Sequence, residues 1–244
     1  MKNPEITSLY KYKPMNQFTL DIIASERIYY ALPESFNDPF DTQCSFMKST
    51  AIAPSTDADK VARAFPDDSE IVPFELKNVS SDIDVFQGKL KNFGIVSLAE
   101  SAADILMWSH YADNHKGICI ELERNENNAL GNPDETNKVK YTQSYPSLSS
   151  NVLLDSDQFN SSLKRVLYTK SKQWEYEKEW RTFKPQGGKV YPLPGKIKSV
   201  TFGARSSQMD IEIVVIRNAW HFHYALVLVF KVVCGSISIA LLTP

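Results

Sequence analysis

Four segments of the sequence combine large aromatic side chains with ionisable or hydrogen-bonding neighbours, and this pattern constrains the fold more than any other feature. Charged and polar groups are costly to bury unless they meet one another. We therefore predict a fold in which these segments face one shared pocket. They are residues 9–14 (LYKYKP), 36–41 (FNDPFD), 107–117 (MWSHYADNHKG) and 174–181 (WEYEKEWR).

The composition and the local patterns predict a single α+β domain, residues 1–244, with a mixed or antiparallel central sheet flanked by helices. A chain of 244 residues with 43% hydrophobic and 23% charged residues is able to bury a core. Apolar runs and turn residues predict strands and helices along the chain. The strands are expected at 8–13, 28–30, 93–98, 117–122, 139–141, 179–183 and 200–203, and the helices at 17–26, 102–112, 155–167 and 206–216.

Two segments depart from this regular pattern. Residues 48–82 are polar and weakly periodic and contain three prolines, which predicts a polar helical excursion. Residues 217–244 form an atypical apolar tail, interrupted by Lys231. Because Lys231 lies mid-span and Gly235 and Ser236 are typical of a turn, we predict a pair of core strands there. A membrane segment and a poorly packed tail are the alternatives.

The net charge of −2 gives no overall basic field, but the charges are unevenly distributed. Residues 31–160 contain 21 acidic and 10 basic residues, whereas residues 161–205 contain 3 acidic and 11 basic residues. This pattern favours two differently solvated faces. The alternative is that residues 161–205 bind a phosphate-bearing ligand or nucleic acid. Three widely spaced cysteines and a polar N-terminus predict a cytoplasmic protein.

Three glutamates alternate in the last polar-aromatic segment. In a strand, this spacing places Glu175, Glu177 and Glu179 on one face. Like charges on one face repel, so a cationic partner or an exposed position is expected. Glu179, beside Trp180 and Arg181, is the preferred catalytic carboxylate, and Glu177 and Arg181 are predicted ligand contacts. A solvated edge strand with salt bridges is the alternative.

The middle segment lies on a predicted helix. Ser101 followed by Asp104 is typical of a capping box, which places the start of the helix near residue 102. The helical periodicity then directs Leu106 and Met107 inward.

Aromatic and histidine side chains of this helix are candidate ligand contacts. His110 is expected near the core edge beside Trp108 and Tyr111, with His115 beyond the last turn. The spacing of the two histidines is not the i, i+4 pair of a zinc helix, and we predict no metal site there. A structural, hydrogen-bonded histidine is the alternative to a ligand-facing one.

The first hundred residues supply further predicted ligand contacts. The proline turn at 36–41 offers two carboxylates and an amide, either as a polar rim or as a turn held by its own side chains. The contacts predicted from this part of the chain are Tyr12, Lys13, Asn37, Asp38, Asp41 and Ser97.

Several familiar catalytic motifs are absent from the sequence. It has no Gly-rich phosphate loop, Gly-x-Ser-x-Gly elbow, His-Glu-x-x-His helix or Cys-x-x-Cys pair. Their absence argues against a nucleoside triphosphatase, an α/β-hydrolase and the common zinc enzymes. It also leaves the cofactor unknown.

In their order along the chain, these segments resemble the bacterial domain-of-unknown-function family 2971. The similar landmarks are residues 9–12, 36–41, 108–117, 174–181 and 200–203, and the resemblance extends over roughly residues 8–212. The family's description records no activity. The apolar tail departs from the mixed polar helix and strand expected of a member.

The layout of the chain is also similar to that of ADP-ribosyltransferase domains, in which an early strand, a middle strand and a late glutamate hold NAD. The analogy implies an enzyme that binds a nucleotide-type ligand and transfers ADP-ribose from NAD, in phage defence or toxin–antitoxin biology. Glu179 would stabilise the oxocarbenium-like sugar. The residues expected to position the ligand or order the rim are Tyr12, Lys13, His110, Tyr111, Asp38 and Asp41.

Two other functions remain alternatives. One is a metal-dependent nuclease or phosphodiesterase, whose ligands would be Asp38, Asp41, His110, His115 and Glu179. The other is a noncatalytic module that binds nucleic acid or a protein partner through residues 161–205.

Overall fold

The computed structural model of the protein describes residues 1–38, 40–47, 77–149, 156–221 and 229–232. These ranges contain thirteen strands and five α-helices. The strands are β1 (Ser8–Lys13), β2 (Arg27–Tyr30), β3 (Ser45–Met47), β4 (Gly94–Ala99), β5 (Ile118–Glu123), β6 (Thr136–Lys138), β7 (Lys140–Thr142), β8 (Ser147–Ser149), β9 (Thr169–Ser171), β10 (Glu179–Lys184), β11 (Lys189–Pro192), β12 (Ile197–Phe202) and β13 (Val229–Val232). The helices are α1 (Gln17–Ser25), α2 (Lys77–Asn92), α3 (Ile105–Tyr111), α4 (Ser156–Leu167) and α5 (Gln208–His221).

A seven-stranded sheet organises the described part of the chain, in the order β13-β12-β5-β1-β4-β10-β6. Neighbouring strands are antiparallel except for β12 and β13, which are parallel. The predicted α+β class with a mixed central sheet is therefore confirmed. Three small two-stranded sheets, β11-β2, β3-β8 and β7-β9, accompany it.

The central sheet is interrupted between β1 and β4. The two strands pair at a single position, Tyr10 with Ala99. Further along β4, Ile95 pairs instead with Ala31, which follows β2. Between these two points, the backbone carbonyl of Ser97 accepts a hydrogen bond from Lys11 Nζ at 2.7 Å. This gap opens a cleft in the middle of the sheet.

The first helix begins at residue 17, as predicted, and is capped by Asn16. The Asn16 side chain accepts a hydrogen bond from the Thr19 amide at 3.0 Å, which satisfies a free N–H of the first turn. Ile22 and Ile23 are buried in the main core, which also contains Leu9. Phe18 of the same helix is 82% exposed.

The middle helix starts later than predicted. Asp104 is its cap, and its Oδ1 accepts hydrogen bonds from the Leu106 and Met107 amides at 2.9 and 3.2 Å. The Ser101 hydroxyl accepts from the Ala103 amide instead, so the predicted capping box is wrong. The helix begins at Ile105, and Leu106 is 47% exposed while Met107 is buried, so the predicted inward direction of Leu106 is wrong.

The two irregular segments are described only in part. Of the predicted excursion at 48–82, residues 77–82 belong to α2, and residues 48–76 lie outside the described residues. In the tail, residues 217–221 end α5 and Val229–Val232 form one strand beside β12. The second predicted strand falls outside the described residues. None of the described helices combines the length and apolar character that a membrane crossing requires.

Candidate functional site

A cavity of about 320 Å³ occupies the gap between β1 and β4. Its size is within the range of small-molecule sites. All four polar-aromatic segments contribute to its wall. The predicted ligand contacts and catalytic residue that line it are Tyr12, Lys13, Asn37, Asp38, Asp41, Ser97, Tyr111, Glu177 and Glu179.

Buried charges adjoin the cavity and form what we call the carboxylate cluster. Its members, each at most 8% exposed, are Asp41, Lys170, Glu177, Glu179 and Arg181. Arg181 is fully buried and is shared by two carboxylates. Its Nη1 donates to Asp41 Oδ1 at 2.9 Å, and its Nε donates to Glu179 Oε1 at 2.7 Å. The guanidinium geometry suits such two-sided recognition of carboxylates and holds them in fixed orientations.

Lys170 supplies the second positive charge of the carboxylate cluster. Its Nζ lies 2.6 Å from Glu177 Oε2, 3.0 Å from Glu179 Oε2 and 3.8 Å from Asp41 Oδ2. Burial opposes its charge, but Glu179 and Glu177 outweigh burial and raise the pKa of Lys170. With three carboxylates and two cations, the cluster carries one excess negative charge when all its members are ionised.

The pKa values of the two buried glutamates are shifted in opposite directions. Burial works against the charge of Glu179, but Arg181 and Lys170 outweigh it and lower the pKa of Glu179 to about 2. For Glu177, burial dominates and raises the pKa, with Lys170 opposing the rise. Tyr111 donates its hydroxyl to Glu177 Oε1 at 2.5 Å. Divergent pKa values in neighbouring carboxyl groups are typical of sites that divide acid–base roles.

Lys11 and Lys13, which we call the lysine pair, also line the cavity. Burial lowers the pKa of Lys11 to about 7, and repulsion by Lys13 adds to this shift. Burial also lowers the pKa of Lys13. Within the described ranges, no salt bridge joins either ammonium group to a carboxylate. The lysine pair therefore differs from Lys170 in having no anionic partner there.

Aromatic rings complete the cavity wall, and most of them come from the segments that the sequence singles out. They are Tyr10, Tyr12, Tyr29, Phe36, Tyr111 and Trp174. Lys170 Nζ lies 5.1 Å from the centre of the Trp174 ring, within the range of a cation–π contact. Flat rings of this kind stack on the bases and heterocycles of ligands.

Several predicted ligand contacts do not belong to the cavity wall. Trp108 is 2% exposed and packs edge-on against Tyr12, with ring centres 5.1 Å apart. His110 is exposed and contacts the Tyr111 and Tyr176 rings. His115 Nε2 lies 3.1 Å from the Ser109 hydroxyl. Each of these three side chains, which lie outside the cavity wall, thus contacts other protein side chains. Arg181 lies behind the cavity wall and belongs to the carboxylate cluster.

The expected single face of glutamates is wrong. Residues Lys172–Glu177 form a 3-10 helix, and the strand begins only at Glu179. Lys178 between them has a φ of 44°, which turns the chain. Glu175 is consequently exposed, whereas Glu177 and Glu179 are buried beside the cavity.

The sequence patterns missed Lys11 and Lys170. Lys11 alternates with Tyr10 and Tyr12, and this alternation places it on the opposite side of a regular strand. It reaches the cavity because β1 and β4 separate there. Lys170 lies in the unremarkable sequence Thr-Lys-Ser, and no local signal marks it. A search for a cation matching the buried glutamates could have found it.

The two alternative functions receive no support from the described geometry. The described residues contain no group of three or more His, Cys, Asp or Glu side chains placed to hold a metal ion. For the binding module, several basic residues of 161–205 form salt bridges with acidic residues of 31–160. These pairs include Lys164 with Asp134, Lys184 with Glu135, Lys198 with Glu121, and Arg181 with Asp41.

Comparison with known proteins supports the family resemblance over part of the chain. Residues 107–182 match the family described as protein of unknown function (DUF2971). The match includes the Trp108–Gly117 and Trp174–Arg181 landmarks but not those at residues 9–12, 36–41 and 200–203. No curated protein and no solved structure matches the chain.

Proposed function

We propose that the cavity binds a nucleotide-type ligand and that the protein transfers ADP-ribose from NAD. The observation that carries this proposal is the placement of the buried carboxylate cluster and the lysine pair on one cavity. NAD has a matching distribution of charge, since its nicotinamide ring is cationic and its diphosphate is anionic. The excess negative charge of the carboxylate cluster suits the ring, and the lysine pair suits the diphosphate.

The carboxylates also suit the chemistry of glycosyl transfer. The bond between ribose C1′ and the nicotinamide nitrogen breaks, and nicotinamide leaves with the bonding electrons. Positive charge then develops on the ribose, where an ionised carboxylate stabilises it. Glu179 has this character, because its pKa is about 2 and Arg181 and Lys170 hold it in place.

Glu177 has the complementary character. An acceptor that attacks C1′ forms the new bond and must lose a proton. A carboxylate whose pKa is raised towards neutrality accepts protons better than one whose pKa is lowered. The pKa of Glu177 is raised by burial, and its Oε1 contacts the Tyr111 hydroxyl. In this proposal Glu177 is the base and Glu179 the ionised stabiliser.

The test is nicotinamide release from NAD by the purified full chain, followed by chromatography, with candidate protein and nucleic-acid acceptors added. We expect Glu179→Gln and Glu177→Gln to abolish release. Glu175→Gln is the matched control, because Glu175 lies on the same segment but is exposed. NAD binding without turnover in the presence of acceptors would disprove the transfer step, and no binding of NAD would also disprove the nucleotide assignment.

A further inference from the structure

The lysine pair has positive charge that the described part of the protein does not neutralise. Lys11 Nζ donates to the Ser97 carbonyl at 2.7 Å, which is a neutral acceptor. Buried or half-buried cations are normally matched by carboxylates or other anions. Lys170 on the same cavity illustrates the normal case, since it contacts both Glu177 and Glu179.

The surroundings in the cavity shift the pKa values of Lys170 and Lys11 in opposite directions. Glu179 and Glu177 raise the pKa of Lys170 despite its burial. Lys11 is close enough to sense the same two carboxylates, yet burial and Lys13 lower its pKa to about 7. An anion placed against the lysine pair would favour the charged form of both ammonium groups.

The carboxylates of the carboxylate cluster are already engaged by their own partners. Glu179 accepts from Arg181 and Lys170, and Glu177 accepts from Lys170 and Tyr111. These carboxylates therefore compete only weakly with an external anion for the lysine pair. The charged groups that act on Lys11 are Lys13 on its own strand, Glu177 and Glu179 from the late segment, and Lys170 from β9. Asp38 and Asp41 line the same cavity from the proline turn.

We infer that Lys11 and Lys13 form the subsite for the diphosphate of a nucleotide-type ligand, and that binding of this anion is coupled to proton uptake by Lys11. The inference rests on the proposed function because it concerns the same cavity. It concerns the anionic part of the ligand, however, and is independent of whether a glycosidic bond is broken.

The experiment is isothermal titration calorimetry of the full chain with inorganic pyrophosphate, ADP and adenosine, between about pH 6.5 and 8.5. We expect pyrophosphate and ADP to bind more weakly as pH rises, by up to about tenfold per pH unit above the pKa of Lys11. Titrations in buffers of different ionisation enthalpy should show proton uptake. Comparing each variant with the unmodified chain cancels the titration of the ligand itself.

The variants separate charge from fold. Lys11→Met and Lys13→Met should each weaken pyrophosphate and ADP binding by about 10–100-fold. Lys11→Arg should retain binding but lose the Lys11-dependent pH response, because a guanidinium stays protonated. Lys196→Met removes an exposed lysine outside the cavity wall and is the control. Binding of adenosine should not change with pH.

Pyrophosphate binding that is equal in the unmodified chain, Lys11→Met and Lys13→Met would overturn the inference, as would the absence of any pyrophosphate or ADP binding. An unchanged pH response in Lys11→Arg would overturn the proton coupling. Lysine-dependent binding of pyrophosphate by a protein that does not turn over NAD would support the subsite and contradict the transfer reaction alone.

Discussion

The carboxylate cluster and the lysine pair lie on one cavity but differ in how the protein treats their charges. In the carboxylate cluster, each carboxylate meets Arg181 or Lys170 within hydrogen-bonding distance. The lysine pair has no such partner among the described residues. The carboxylate cluster is thus neutralised largely by its own members, and the lysine pair is not, a contrast that supports the proposal of an anionic ligand at the lysine pair.

Disruption of the carboxylate cluster should destabilise the protein most strongly. Arg181→Met should lower the free energy of unfolding by about 4–5 kcal/mol, because it leaves Asp41 and Glu179 buried without their main partner. Urea denaturation measures the loss. Lys178→Met, which removes an exposed cation nearby, should change stability by less than about 0.5 kcal/mol. Equal stability of the two variants would mean that the carboxylate cluster is not closed as described.

A slightly smaller loss of stability is expected from a substitution in the core behind the lysine pair. Trp108→Ala should cost about 3–4 kcal/mol, because the ring is 2% exposed and packs on Tyr12, between the two lysines. Its indole N–H also donates to the Ala102 carbonyl at 2.7 Å. The denaturation midpoint is the measurement, with Leu106→Ala as the exposed control on the same helix. An unchanged midpoint for Trp108→Ala would place the ring at the surface.

Acid should weaken the carboxylate cluster through Glu179. Its pKa is about 2 in the folded protein against an ordinary 4.5, so the unfolded state binds more protons between these values. The stabilisation is complete above about pH 4.5 and is lost as the pH falls towards about 2. It amounts to about 3 kcal/mol. The stability difference between the unmodified chain and Glu179→Gln should therefore narrow in acid, and a constant difference would contradict the assignment.

Titration of Lys11 should change the stability only gradually with pH. Because the pKa of Lys11 is about 7 when folded and 10.5 ordinarily, the unfolded state binds more protons between these values. Stability should therefore increase with pH in this window, by at most about 1.4 kcal/mol per pH unit. Lys11→Met should remove this increase while Lys196→Met keeps it. An identical pH profile for both variants would show that Lys11 titrates normally.

Local patterns predict the framework of the fold well. Apolar runs place β1, β4 and β5 to within one residue, whereas β12 begins three residues earlier than predicted. They fail where two capping residues compete, since Ser101 and Asp104 both fit the start of a helix. They also select the wrong inward face of this helix, since Leu106 and His110, four residues apart on one face, are exposed while Met107 and Trp108 are buried.

The parts of the site that can be predicted from the sequence are those with unusual combinations of residues. The proline turn and the late glutamates stand out because their carboxylates, next to large apolar rings, are costly to bury without a partner. Both segments line the cavity. Their partners are harder to find from sequence. Lys170 becomes significant only when β9 lies beside the carboxylates, and Lys11 only when β1 separates from β4. Such placement follows from long-range strand pairing, which local periodicity does not encode.

The interrupted pairing between β1 and β4 leaves a signature at single-residue level. In an antiparallel strand, successive amide groups point to opposite neighbours, so the Val96 and Leu98 amides face β10 while the Ser97 amide faces the cleft. Solvent deuterium should therefore reach Ser97 sooner than the residues on either side of it. A strand in the middle of the sheet thus has one flank with the exchange behaviour of a sheet edge.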